Sequence, residues 1–218
     1  MKKVLTLAVA AALAGGAVMS QAYEAGDWIL RAGVATVAPD ADSDEVPGLG
    51  VTVDVDDDTQ LSIIPVYMVT EDWGIELLAA TPFKHDIEVN EAPLDAGSTK
   101  HLPPTLTVQW YPRGGSTGWQ PYVGLGLNYT YFFDEKAAGD LEGIVGKADL
   151  DLDDSFGLSA SAGVDVPFGE NWSFNAGIWY IDIDTTATVT LREADNAKVK
   201  FDVDIDPWVY NIGIAYKF

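Results

Sequence analysis

Cysteine is absent from the 218 residues, which excludes disulfide staples and thiolate chemistry. Basic residues are scarce: 12 Lys and Arg stand against 34 Asp and Glu, for a formal net charge of −22 at pH 7. Phosphate backbones are held by Lys and Arg, so nucleic acid is excluded as a partner. Histidine is limited to His85 and His101, and no serine stands at an obvious spacing from either. The two imidazoles are therefore expected to pack or hydrogen-bond, with no catalytic, metal or cofactor role. Beyond residue 22 there is also no apolar run long enough for a membrane-spanning helix.

What is present begins at the N-terminus. Met1-Lys2-Lys3 precedes a short apolar stretch, Val4–Ala14, and Ser20-Gln21-Ala22 supplies small residues at the positions a signal peptidase reads. Residues 1–22 are expected to be a removed signal peptide, because the run is too short to anchor and no stop-transfer charges follow. Residues 23–218 then form one domain, made still more acidic by the loss of Lys2 and Lys3.

The last eleven residues explain how an exported chain without an apolar helix is used. Trp208, Tyr210, Ile212, Ile214, Tyr216 and Phe218 alternate with Val209, Asn211, Gly213, Ala215 and Lys217. A period of two with aromatics at both ends suits a strand crossing a bilayer in a closed barrel. Seven further segments share the pattern: 27–38, 59–69, from Trp73 through Ala80, about 102–111, 120–133, 155–166 and 172–180. The clearest sets Val123, Leu125, Leu127, Tyr129 and Tyr131 against Tyr122, Gly124, Gly126, Asn128 and Thr130. Connections alternate between short turns and long stretches at about 39–58, 86–100, 134–153 and 185–198, read as outer loops. The chain is thus predicted to be an all-β, eight-stranded antiparallel up-and-down barrel in the bacterial outer membrane. A soluble eight-stranded barrel is the structural rival, but the inner set of Gly, Ser, Asn and Thr is too polar for its dry core.

Eight strands leave a lumen filled by side chains or one small ligand, which excludes a general porin. Inward parity near the periplasmic end collects Arg31, Glu76, Asp165 and Lys217, expected to form an ion-paired floor. Higher up, parity turns Leu78, Trp179, Ile181 and Ile183 inward, with Val203 and Ile205, while Asp182, Asp184, Asp202, Asp204 and Asp206 point outward. Aspartates cannot face hydrocarbon, so these strands are expected to rise above the bilayer around an apolar bore. Such a bore over a polar floor suits binding or passage of small hydrophobic solutes, with lateral release into the membrane. A structural or stress-responsive surface barrel is the alternative, and a lipid-modifying enzyme is a weaker one. The acidic runs 54–58 and 149–154 lack the glycine and distal glutamate of an EF-hand loop and read as solvated segments.

The residues also resemble the OmpW family of outer-membrane proteins. Stretches that carry the resemblance include Arg31-Ala32-Gly33, Glu76-Leu77-Leu78-Ala79-Ala80-Thr81-Pro82-Phe83, His101-Leu102-Pro103-Pro104, Trp179-Tyr180-Ile181-Asp182-Ile183-Asp184 and Asp206-Pro207-Trp208. They run in order through the whole mature chain. The resemblance implies a hydrophobic channel for small apolar compounds, closed by a leucine and a tryptophan that fall on Leu78 and Trp179. It also implies outer-membrane lipid and lipopolysaccharide as surroundings. The acidic outer segments depart from the family, so receptor roles borne by loops are not carried over.

Overall fold

The computed structural model of the protein describes residues 22–47, 50–90, 92 and 94–218. The expected signal peptide, apart from Ala22, lies outside the described residues. In chain order the elements are β1 (Trp28–Ala38), β2 (Asp42–Ser43), β3 (Val53–Val55), β4 (Asp58–Met68), β5 (Trp73–Ala80), β6 (Phe83–Val89), β7 (Asp95–Leu102) and β8 (Thr105–Trp110). They continue with β9 (Gln120–Ala137), a short helix α1 (Gly139–Val145), β10 (Ala148–Leu152), β11 (Ser155–Pro167), β12 (Trp172–Ile181), β13 (Asp184–Leu191), β14 (Ala197–Asp204) and β15 (Trp208–Lys217).

Eight of these strands close a ring in the order β1, β4, β5, β8, β9, β11, β12, β15, and β15 pairs back onto β1. Every pairing is antiparallel. Closure satisfies the backbone N–H and C=O groups inside the sheet, the condition for existing in lipid. The eight strands coincide with the eight alternating segments of the sequence.

Alternation becomes two environments. Along β4, Leu61 and Ile63 point outward while Ser62, Ile64, Val66 and Met68 are buried. The outer surface is an aliphatic belt bounded by two aromatic rings. Trp28, Tyr67, Trp73, Trp110, Trp172 and Tyr216 form the ring at the end of the short turns, with Trp28 tilted against Tyr67 at 5.1 Å and Trp172 edge-on to Tyr216 at 4.7 Å. Tyr129, Tyr131, Phe156, Tyr180 and Trp208 form the other, where Tyr180 and Trp208 lie 5.2 Å apart.

The long connections differ from the loops expected of them. They carry β structure that continues the wall above the bilayer. The upper half of β9 pairs with β7, β7 with β6, and β6 with β3. A second sheet, β10-β13-β14-β2, lies opposite, with β10 close to upper β9. Both acidic runs contribute strands: Val53 and Leu150 are buried while Asp54 and Asp151 are exposed. Their charge density suggested solvated loops, yet the same period of two lets one face pack while carboxylates cover the other.

Leu125 lies midway along the stretch of β9 that pairs with β11, opposite Val108 and Ala160, and is 73% exposed. Leu125→Arg is expected to cost about 2–4 kcal/mol in lipid. Urea unfolding in bilayer vesicles measures this, and a change within ~0.5 kcal/mol would contradict its place in hydrocarbon.

Candidate functional site

The bore is stratified into a polar floor, an apolar plug and an open apolar hollow. β1 carries Arg31 into the floor, β5 brings Glu76 and β11 brings Asp165, all three fully buried. The guanidinium binds Glu76 through Nη1 at 2.6 Å and Asp165 through Nη2 at 2.7 Å, with Nε reaching the second Asp165 oxygen at 3.2 Å. Nη2 also donates to Tyr111 Oη at 3.0 Å, and the guanidinium carbon stands 4.3 Å from the centre of the Tyr122 ring. One cation faces two carboxylates, so further donors share the excess negative charge. Tyr23 Oη donates to Asp165 at 2.9 Å and Asn175 Nδ2 does so at 2.8 Å. Asn211 extends the network by donating to Asn175 at 3.1 Å and pairing with Ser62 at 2.5 Å.

Lys217 stands apart from this cluster. It lies opposite Ile29 in the β1–β15 register, two residues below Arg31, and its Nζ meets Asp27 at 3.2 Å and the Ala22 carbonyl at 2.9 Å. It fastens the N-terminal segment to the rim. Tyr23 reaches the floor from outside any strand, which is why alternation had not singled it out.

Trp179 joins floor to plug. Its ring is fully buried and its Nε1 donates to Glu76 at 3.1 Å. A Cβ on Gly177 would fall 2.5 Å from the Trp179 ring and 2.9 Å from Tyr122 Oη, so only glycine leaves the indole its bed. Leu78, Trp179, Ile181 and Ile183 belong to one buried apolar cluster with Ala35, Val37, Phe83 and Val209. All four anticipated residues thus face inward and fill the bore.

Open space lies one layer higher. Val53, Ile87, Phe132, Leu150, Val189 and Phe201 are among the residues lining a cavity of about 90 Å³, within a hollow of about 890 Å³ when its open mouth is counted. Most of this lining comes from the connections rather than from the bilayer strands. The hollow contains both histidines, 2.9 Å apart between Nε2 atoms, with His101 stacked against Phe132 at 5.8 Å. Burial holds both imidazoles below their ordinary range, His101 down to about 3, with His85 adding to the effect on His101. The carboxylates of Asp56, Asp57 and Asp58 oppose that shift at His85, and Asp58 at His101.

On the outer surface, Asp182, Asp184 and Asp206 gather oxygens within 4.8 Å of one another, the grouping of potential metal ligands found among the described residues. Asp206 already accepts from Tyr180 Oη at 2.8 Å and from the Ile183 N–H at 3.1 Å.

The wall also has a seam. The β5–β8 ladder ends at Leu78 opposite Thr105, and the β6–β7 ladder begins at Phe83 opposite His101. Between them, residues 79–82 face 102–104 without ladder bonds, and Pro82, Pro103 and Pro104 have no N–H to donate. A narrow pocket lined by Leu78, Ala80, Phe83 and Pro103 adjoins this seam.

A closed eight-stranded barrel with a lipid-facing belt and paired aromatic rings is a bacterial outer-membrane protein. The profile of the OmpW family matches residues 24–218. Outer membrane protein W of Vibrio cholerae is 45% identical over 216 residues, covering 97% of each chain. The crystal structure of the outer membrane protein OprG from Pseudomonas aeruginosa superposes with a TM-score of 0.85 at 44% identity, covering 91% of this chain and 99% of that one. More distantly, the dibenzothiophene metabolism operon protein PahQ of Pseudomonas aeruginosa is 24% identical over 206 residues, 89% of this chain and 90% of its own. The chain belongs to the OmpW family.

Arg31→Leu strands two buried carboxylates and is expected to cost about 3–5 kcal/mol, whereas adding Glu76→Gln and Asp165→Asn should restore most of it. Urea unfolding in vesicles measures both, and a triple variant no more stable than the single one would contradict the pairing. The depressed imidazoles carry a pH signature as well. An unfolded histidine takes its proton near 6.5, before the buried pair does, so their contribution to stability is intact above that pH and fades as pH falls toward 3. In ¹⁵N spectra His101 should stay neutral at pH 5, and a midpoint near 6.5 would contradict its burial.

Proposed function

We propose that this barrel binds small apolar solutes in the hollow above the outer leaflet and releases them sideways into the membrane. The observation that carries the reading is the sequence of layers along the bore. An apolar hollow lies over an apolar plug, and below both the Arg31 cluster closes the way to the periplasm. A hydrophobic molecule gains by leaving water for such a lining, and it would lose that gain by passing through a buried ion network. Aqueous solutes fit poorly for the converse reason.

The seam between residues 79–82 and 102–104 supports a lateral outlet, since separating strands there breaks no ladder bond. Leu78 and Trp179 act on this reading as the stopper that keeps a solute from sinking further. The link of the relative PahQ to dibenzothiophene metabolism agrees with an apolar, ring-containing cargo.

Two bulky substitutions test the reading. Ala187 lines the hollow and Ala80 lines the pocket at the seam. In cells depending on this protein for uptake of a monoaromatic hydrocarbon, Ala187→Trp is expected to reduce initial uptake at least fivefold, and Ala80→Trp comparably. Unchanged uptake in the Ala187→Trp strain, at equal surface abundance, would overturn the hollow as the binding place. Loss with Ala187→Trp but not with Ala80→Trp would keep the hollow and discard the sideways route.

A further inference from the structure

The histidine pair sorts the ligands this hollow can hold, an inference that rests on the hollow's being a binding place. His85 Nδ1 lies 2.5 Å from the Asp56 carbonyl oxygen. A carbonyl only accepts, so His85 Nδ1 carries the hydrogen. In neutral His85 the Nε2 is then bare, and His101 Nε2, 2.9 Å away, must donate to it. Neutral His101 is left with a bare Nδ1. That atom is buried and has no hydrogen-bond partner within the protein, and the side chain lines the hollow. Burial keeps both rings neutral at ordinary pH.

The other polar side chains around the hollow are already engaged. Thr99 Oγ1 donates to the Lys100 carbonyl at 3.3 Å, and Thr185 Oγ1 donates to the Asp153 carbonyl at 2.6 Å. His101 Nδ1 is therefore an unshared acceptor on a side chain that lines a greasy chamber. Buried polar atoms are costly when unpaired, so a ligand that satisfies this one gains over an apolar molecule of equal shape.

We propose that the hollow selects small apolar molecules bearing one hydrogen-bond donor, a hydroxyl on an aromatic or alkyl body, with His101 Nδ1 accepting from that hydroxyl. The Asp56–His85–His101 relay fixes the tautomer that makes Nδ1 an acceptor, and the aromatic faces of Phe83 and Phe132 hold the ring in place, with centroids 5.6 and 5.8 Å from it. Neutral ligands offering only acceptors, such as ketones or ethers, meet lone pair against lone pair and are disfavoured.

The test uses 4-ethylphenol and 4-ethyltoluene, which differ by a hydroxyl in place of a methyl. Both are titrated into the full mature barrel in lipid nanodiscs at pH 7, with ¹⁵N-labelled histidine. The phenol is expected to bind about five- to tenfold more tightly than the toluene and to shift the His101 Nδ1 resonance upfield. In His101→Phe that preference should fall to about one. Equal ratios in the two proteins, or an unmoved Nδ1 resonance with both ligands bound, would overturn the selection while leaving the hollow as a binding place. Binding of neither ligand by the native protein would overturn both. Should His101→Phe fail to fold, the native spectrum still decides, because finding the hydrogen on His101 Nδ1 would refute the relay.

Discussion

Hydrocarbon leaves no water to satisfy a backbone amide, and the architecture follows from that constraint. The ladder must close on itself, and closure with eight strands fixes a bore too narrow to stay open. Whatever points inward must fill the space, and polar groups placed there must satisfy one another. The Arg31 cluster is the answer at one end, where Tyr23, Asn175 and the Trp179 N–H share two carboxylates with a single guanidinium. Apolar packing around Trp179 is the answer at the next level. The open hollow exists only where the wall has left the bilayer and the connecting strands splay around it.

Much of this was legible from alternation alone, because a strand with lipid on one side cannot slip by one residue without exposing its polar face. Arg31, Glu76 and Asp165 could be placed together by parity before any partner was known, as could the inward run of Trp179, Ile181 and Ile183. Parity survived even the break at Asp206-Pro207, where Asp206 adopts φ 39° yet Ile205 and Val209 stay on the inner side. What parity cannot supply is height around a ring. Lys217 shares the inner face with Arg31 but sits two residues lower, near enough to Asp27 and too far along the strand for the cluster.

The outer segments were harder to read for a different physical reason. In Asp149-Leu150-Asp151-Leu152 the charges dominate composition while the leucines dominate packing, and only a facing sheet reveals which governs. The same holds for the histidines. Their separation by fifteen residues becomes a 2.9 Å contact because β6 and β7 form a hairpin that turns both side chains inward. Nothing in their spacing announces the pair, and no single-residue signal distinguishes a relay from two packed rings.

The vertical order of these features bears on where a solute could go. Aspartates 182, 184 and 206 project outward just above Tyr180 and Trp208, so hydrocarbon must end at that aromatic level. The seam lies at the same height: Leu102 pairs with Tyr131, and the Pro104 carbonyl accepts from the Tyr129 N–H at 3.2 Å. Three prolines in that short stretch remove donors where a continuous wall would need them, and Asn128 Nδ2 partly compensates by donating to the Pro103 carbonyl at 3.2 Å. A weakness deeper in the belt would expose unpaired carbonyls to lipid, and one higher up would open onto water. At the aromatic ring, interfacial water can serve the freed carbonyls while the acyl chains begin immediately below. The wall is thus interrupted at a depth where the interruption costs little.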